Sequence, residues 1–393
     1  MPLLIDRNSW MSVSRFSKDW VMVASAFILS GSTFGIWASR IPAFVIRFEL
    51  SPAALGGFLF ILAFGAILSF PCSGYLSDRF GAVTISKILS FSCLTVFVCL
   101  PLASNILFFG LFLFLFGMFN GGLDIAMNVW ASEVQKRYKK QVLSSFHAMF
   151  SLGAGMGAIL GFSAASKGMS IQANFYLGAF FLIPILGIIL MSGWRSEIKQ
   201  SEAFFSQFAI PKKSLMAVGL IAFCSSLGEG GVADWSALYL VLVTQASQAD
   251  AALGFAIFSL AMVMFRLMGD RIIALLGKVS TGRASALTAF LGAALVLSSG
   301  YYPVILCGLA LMGAGYAILI PVCFSRAAEE PSLSPGAAIA SVSTLGYSGF
   351  LLGPPVLGLV AEYTSMASVF VILMLLTAII FAASKQLAPP SSK

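Results

Sequence analysis

Five ionisable side chains lie inside long apolar stretches of the sequence: Arg40, Asp124, His147, Glu229 and Asp234. A charge at bilayer depth costs about 3 kcal/mol or more unless it is paired or wet, so each is a candidate for function. A carboxylate in such a place can take up a proton, because burial favours its neutral form, and an imidazole can share or relay that proton. Asp124 and His147 are candidates for this chemistry; they can face each other if their helices run in opposite directions. Asp124 can equally be a structural group that pins two helices beside Asn120 and Asn128. Glu229 stands in Leu227-Gly-Glu-Gly-Gly231, where glycines weaken a helix and allow close backbone approach; it is a candidate for binding a proton or a solute. Arg40 and Asp234 can form an ion pair that opens and closes, or each can be solvated at the membrane surface. Their neighbours Trp37 and Trp235 can stack on a sugar ring or an organic cation, or anchor at the interface.

Other chemistries lack the residues they need. His147 is the one histidine, so no catalytic residue is assigned and the chain reads as a non-enzyme; a hydrolase would require Ser144 or Ser145 to reach that imidazole. The six cysteines, Cys72, Cys93, Cys99, Cys224, Cys307 and Cys323, lie in apolar runs without metal-ligand spacing, so neither a metal nor a cofactor is expected. There is no GxxxxGK[ST] loop to drive transport with ATP. The basic balance, Lys+Arg 23 against Asp+Glu 15, falls in short gaps between apolar runs, which is the pattern of membrane topology and not of nucleic-acid binding.

The elements that must position these groups are membrane helices. Hydrophobic residues make up 59% of the chain and charged ones 10%, against roughly 45–50% apolar in soluble domains. About twenty apolar residues span a bilayer core of about 30 Å. Runs of that length predict twelve spans, near 19–43, 52–77, 83–103, 106–133, 142–166, 172–194, 214–243, 251–269, 281–299, 302–324, 336–361 and 365–385. The polar stretch 195–213 divides a half of six spans (1–194) from a second half of six (214–393). Residues 1–19 carry no removable signal, so the first run is a retained span. With the N-terminus in the cytoplasm, most Lys and Arg fall inside and only Arg40, Arg47 and Lys167 outside; both termini are therefore expected in the cytoplasm.

The halves repeat each other. Gly74-Tyr-Leu-Ser-Asp78-Arg79-Phe-Gly81 ends the second span, and Arg266-Leu-Met-Gly269-Asp270-Arg271 ends the eighth. The same interval carries Gly121 onto Gly313 and Asp124 onto Tyr316, which makes Tyr316 a cavity candidate. With these landmarks the sequence resembles the major facilitator superfamily over nearly its whole length. The stretch 74–81 looks like that family's signature loop, although Ala82 and Val83 stand where basic residues are usual and the customary arginine of the fourth helix is absent. Gly35-Ile-Trp-Ala-Ser-Arg40-Ile-Pro42, Asp124-Ile-Ala-Met-Asn128, Ser144-Ser-Phe-His147 and Glu229-Gly-Gly-Val-Ala-Asp234-Trp-Ser look most like a bacterial branch related to the fucose permeases.

The resemblance implies an all-α integral membrane fold of two pseudo-symmetric six-helix bundles, with spans 1, 4, 7 and 10 lining a central cavity. It implies alternating access, with Asp78 and Arg79, and by repetition Asp270 and Arg271, joining helices at the cytoplasmic end in one state and parting in the other. Asn120 and Asn128, with Glu229 and Trp37, Trp235 and Tyr316, are the expected cavity lining. The expected activity is proton-coupled movement of a small hydrophilic organic solute, a sugar or derivative among the choices, across a bacterial cytoplasmic (inner) membrane. A proton-driven exporter of drugs or metabolites is the alternative. The partners are then solute, protons and lipid, and one chain holding both halves can work as a monomer.

Overall fold

The computed structural model describes residues 7–139, 142–196, 198, 212–327, 329–332 and 335–389. Among the described residues there are only helices and their connections. Among the described residues, twelve helical stretches are long and apolar enough to cross a membrane. Spans 1 to 6 are Phe16–Ser39, Pro52–Phe80, Ala82–Leu102, Ile106–Tyr138, Ser145–Ser166 and Ile171–Leu190. Span 7 is Lys213–Thr244; spans 8 and 9 lie in Gln248–Ser298; spans 10 to 12 are Tyr302–Ala327, Ser341–Tyr363 and Met366–Leu387. An even number of crossings puts both chain ends on one side, called here the terminal side, and the opposite one the far side. The polar linker drawn over 195–213 falls largely outside the described residues.

Local chemistry sets where spans begin. Spans 2, 4, 6 and 8 start on the far side, and each start is capped by a side chain, from Ser51, Asn105, Ser170 and Ser247, that accepts from the first free N–H groups. On the terminal side, spans 2 and 3 meet at Gly81 (φ 88°, ψ 135°), and spans 8 and 9 meet at Gly277 (φ 74°, ψ 162°). Positive φ with extended ψ is open to glycine almost alone, so the same turn serves both halves. This corrects one boundary. Span 8 does not end at Asp270-Arg271 but continues to Gly277, so Asp270 stands seven residues before its turn where Asp78 stands three before its own.

The first boundary also moves. The helix of span 1 ends at Ser39, and Ile41–Phe48 forms a separate short helix with Pro42 in its first turn. Arg47 ties this short helix to the connection between spans 3 and 4 by donating to the carbonyls of Pro101 (2.8 Å) and Ala103 (2.7 Å).

Each half packs in the same way. Span 1 lies on span 5 so closely that a Cβ at Gly35 would fall 2.0 Å from the Ala154 carbonyl oxygen. Span 7 lies on span 11, where a Cβ at Gly349 would fall 2.5 Å from the Phe223 oxygen. The halves meet along span 5 with span 8 and span 2 with span 11. At the far-side end of the second seam, Gly56 touches Pro354 and Gly358, and the Ala53 N–H donates to Glu362 Oε2 (3.2 Å). Large apolar side chains such as Leu107, Phe180 and Leu275 remain exposed, as lipid-facing surfaces require.

Candidate functional site

Glu229 lies about 24 Å along span 7, near its middle. Span 7 is a continuous helix through the glycines around it. Those glycines make room for rings. A Cβ at Gly228 would meet Tyr316 at 2.3 Å, and one at Gly230 would meet Phe350 at 2.8 Å. Glu229 accepts from Arg266 of span 8, whose Nη2 reaches Oε1 at 3.2 Å and Oε2 at 3.1 Å. Arg266 Nη1 donates to Ser151 Oγ of span 5 (2.7 Å), and Nε points at the Ala317 carbonyl of span 10 (3.4 Å). One guanidinium therefore joins spans 7, 8 and 10 of the second half to span 5 of the first. The ion pair is partly open, with 12% of the Arg266 side chain and 19% of the Glu229 side chain exposed.

A second link between the halves lies on the other seam. Asp124 of span 4 accepts from Asn128 Nδ2 at Oδ1 (3.2 Å) and from the Tyr347 hydroxyl of span 11 at Oδ2 (3.3 Å). Asn128 also donates to the Asp124 carbonyl (2.8 Å), which fixes the amide on its own helix. Tyr347 is held by an edge contact with Phe70 of span 2 (5.1 Å) and lies within electrostatic reach of both Asp124 and Glu229. Among the described residues Asp124 has no cationic partner, so its charge is carried by hydrogen bonds alone.

His147 and Asp124 are not brought together. The imidazole is exposed, meets Phe27 edge-on (5.5 Å) and lies within electrostatic reach of Arg266, one turn of span 5 before Ser151. Asn120 is structural: it accepts from Ser30 Oγ (2.8 Å) and donates to Thr33 Oγ1 (3.3 Å), tying span 4 to span 1.

Trp37 and Trp235 are fully buried and line no opening, which corrects their reading as cavity residues. Trp37 packs on Phe44 (5.3 Å) and Phe109 (6.1 Å) within the first half. Tyr316 is likewise buried, with a hydroxyl that has no partner among the described residues. Arg40 and Asp234 are not paired: Arg40, 4% exposed, donates to the Met169 carbonyl (3.2 Å) at the edge of a far-side cleft of about 570 Å³. Asp234 is half-buried without a hydrogen-bond partner among the described residues. Arg79 turns back to the Tyr75 hydroxyl (3.0 Å) on its own helix, Asp78 is half-buried beside it, and Arg271 is exposed. The Asp270 side chain lies outside the described residues. No group of metal-ligating side chains occurs among the described residues.

Arg266, Ser151 and Tyr347 are the participants that sequence reasoning leaves out. Arg266 satisfies the same rule as the other buried charges, but the Gly-Asp-Arg stretch after it draws attention to a span end. Ser151 and Tyr347 carry no comparable signal.

The sequence profile of the Major Facilitator Superfamily matches residues 6–158. The chain is 40% identical over 366 residues to the uncharacterized transporter y4wD of Sinorhizobium fredii, covering 93% of this chain and 97% of that one. It is 28% identical over 361 residues to an uncharacterized MFS-type transporter of Yersinia pestis, covering 90% and 92%. It is also 29% identical over 369 residues to the membrane protein MosC of Rhizobium meliloti, covering 92% and 88%. Among solved structures, a variant of the nucleoside transporter NupG superposes with a TM-score of 0.75 at 13% identity, covering 93% of this chain and 99% of NupG. The D-xylose–proton symporter superposes with a TM-score of 0.71 at 16% identity, covering 95% and 97%. Twelve spans, the profile match, and a transporter relative at 40% identity over 93% of this chain show that the chain belongs to the Major Facilitator Superfamily of membrane transporters.

Proposed function

We propose that this protein is a proton-coupled, alternating-access carrier of a small hydrophilic organic solute, a sugar or sugar derivative, in the bacterial cytoplasmic membrane. The observation that carries the proposal is the hydrogen bond from Tyr347 of one half to Asp124 of the other. A bond to a carboxylate contributes about 1.5–3 kcal/mol and one to a neutral acceptor about 0.5–1.5. Protonation of Asp124 therefore loosens a tie between the halves by about 1 kcal/mol, which shifts a two-state equilibrium about fivefold. Proton binding is in this way converted into relative movement of the bundles. The solute, bound between them near Glu229, Arg266 and Asn128, is exposed to the two sides in turn.

In the proposed orientation the terminal side is cytoplasmic, because it collects most of the Lys and Arg. The units are residues 1–194 and 214–393 joined by 195–213, and one chain suffices as a monomer. The motifs at 35–42, 124–128, 144–147 and 229–236 support kinship with the fucose-permease branch. The test is solute-dependent proton uptake by proteoliposomes, with sugars as probes. The parent is expected to move protons with solute, and Asp124→Asn to keep solute exchange while losing proton movement. Transport by the parent that ignores pH would point to uniport or to another ion.

A further inference from the structure

The Arg266–Glu229 pair deepens that proposal, on which it rests, by indicating the chemical class of the solute. Three features of the pair matter. Glu229 is the one carboxylate hydrogen-bonded to Arg266 among the described residues, so the guanidinium has a single source of charge compensation. Glu229 holds it by Nη2 alone, while Nη1 is held by Ser151, a neutral hydroxyl of the other half. The site is also open: both side chains retain exposure, and the exposed His147 stands one turn before Ser151 on span 5.

A planar fork of two N–H groups with one arm on a neutral, cross-half partner matches the paired oxygens of a carboxylate. Once Glu229 takes a proton, Arg266 becomes a part-buried cation without a counter-ion, an arrangement that the membrane interior disfavours unless an anion enters. The groups facing this exchange are Arg266 from span 8, His147 from span 5, Tyr316 from span 10, Tyr347 from span 11 and, beyond Tyr347, Asp124 from span 4. Asp124 is already satisfied by Tyr347 and Asn128 and does not compensate Arg266. We infer that the solute carries a carboxylate, which replaces Glu229 and Ser151 on the Arg266 fork when Glu229 is protonated. Protonation of Glu229 and entry of the carboxylate then balance each other at Arg266, while the Asp124–Tyr347 link couples protonation to movement of the halves.

The experiment uses the full chain in proteoliposomes and in detergent, with glucuronate, gluconate, lactate and succinate as acidic probes and glucose, myo-inositol and glucosamine as neutral and cationic ones. At least one acid is expected to raise the thermal midpoint and to drive proton uptake. Arg266→Gln is expected to weaken its binding about tenfold or more, the loss of one bidentate charged contact. Glu229→Gln is expected to keep acid exchange and lose its pH dependence. Because Arg266→Gln alone strands Glu229, the doubly neutral Arg266→Gln/Glu229→Gln variant serves as the folded control that does not bind the acid. Binding of the acid by that double variant overturns the inference, as does failure of every acid while a neutral or cationic probe is carried with protons; the carrier reading survives both. If no probe of any class moves protons, both readings fall.

Discussion

Among the described residues of the second half, two Arg–Glu pairs differ in how they are held. Arg326 and Glu330 stand one turn apart at the terminal end of span 10, 3.4 Å from each other, with side chains 7% and 6% exposed and Ser332 donating to the same carboxylate. Both partners come from one segment of one half, so no movement between bundles can part them. Arg266 and Glu229 come from two spans, retain exposure and lean on Ser151 of the opposite half. The first pair is sealed and local; the second is reachable and depends on how the bundles sit. The distances, 3.1 Å and 3.4 Å, are alike; the origin and exposure of the partners are what differ.

The largest expected effects come from stranding a charge. Glu330→Ala leaves the buried Arg326, whose Nε already lacks a partner, without its carboxylate, and should cost about 3–5 kcal/mol of stability. Replacing Arg326 and Glu330 together by Met and Leu should restore most of that, as read by thermal or denaturant unfolding in detergent, with transport retained. The same double neutralisation at Arg266 and Glu229 should also restore stability but abolish coupled transport. Equal transport losses at both pairs would erase the distinction between them.

A smaller effect is expected at the matching turns. Gly277→Ala and Gly81→Ala force a side chain into a positive-φ, extended-ψ conformation, and each should cost about 1–3 kcal/mol. Similar unfolding penalties in the two halves would support their structural equivalence. Tyr347→Phe should shift the balance between inward and outward states by about 1–2 kcal/mol without unfolding the protein, seen as a changed distance distribution between spin labels on the two bundles. Ser151→Ala should do the least, about 1 kcal/mol or under, because Arg266 keeps Glu229; a larger loss would make the cross-half arm of the guanidinium dominant.

How much of this was legible beforehand follows from the physics of each signal. Twelve spans could be counted because a bilayer demands long apolar runs, and Asp124 and Glu229 stood out because charge is costly within them. Arg266 obeys the same rule and was obscured by a repeat matched on the Asp-Arg dipeptides, when the structurally equivalent positions are the turn glycines Gly81 and Gly277. The glycines around Glu229 could mean a broken helix or space for a ring, and only the positions of Tyr316 and Phe350 decide. A phenol in an apolar span gives no indication of its partner, so the bond from Tyr347 to Asp124 had to come from tertiary structure. Trp37 and Trp235 illustrate the converse: indoles beside polar residues invite a binding role, yet both are fully buried.

The capped far-side starts of spans 2, 4, 6 and 8 bear on how the protein is made. In lipid an unsatisfied N–H is costly, and the first turn of a helix has several. With Ser51, Asn105, Ser170 and Ser247 accepting from one or two of those groups, each of these helices can leave the translocation machinery with its leading end partly satisfied, before any tertiary neighbour exists. Biogenesis can then proceed hairpin by hairpin, and removing such a cap should lower the yield of inserted protein, measured by protease protection of nascent chains, more than the turnover of molecules that assemble.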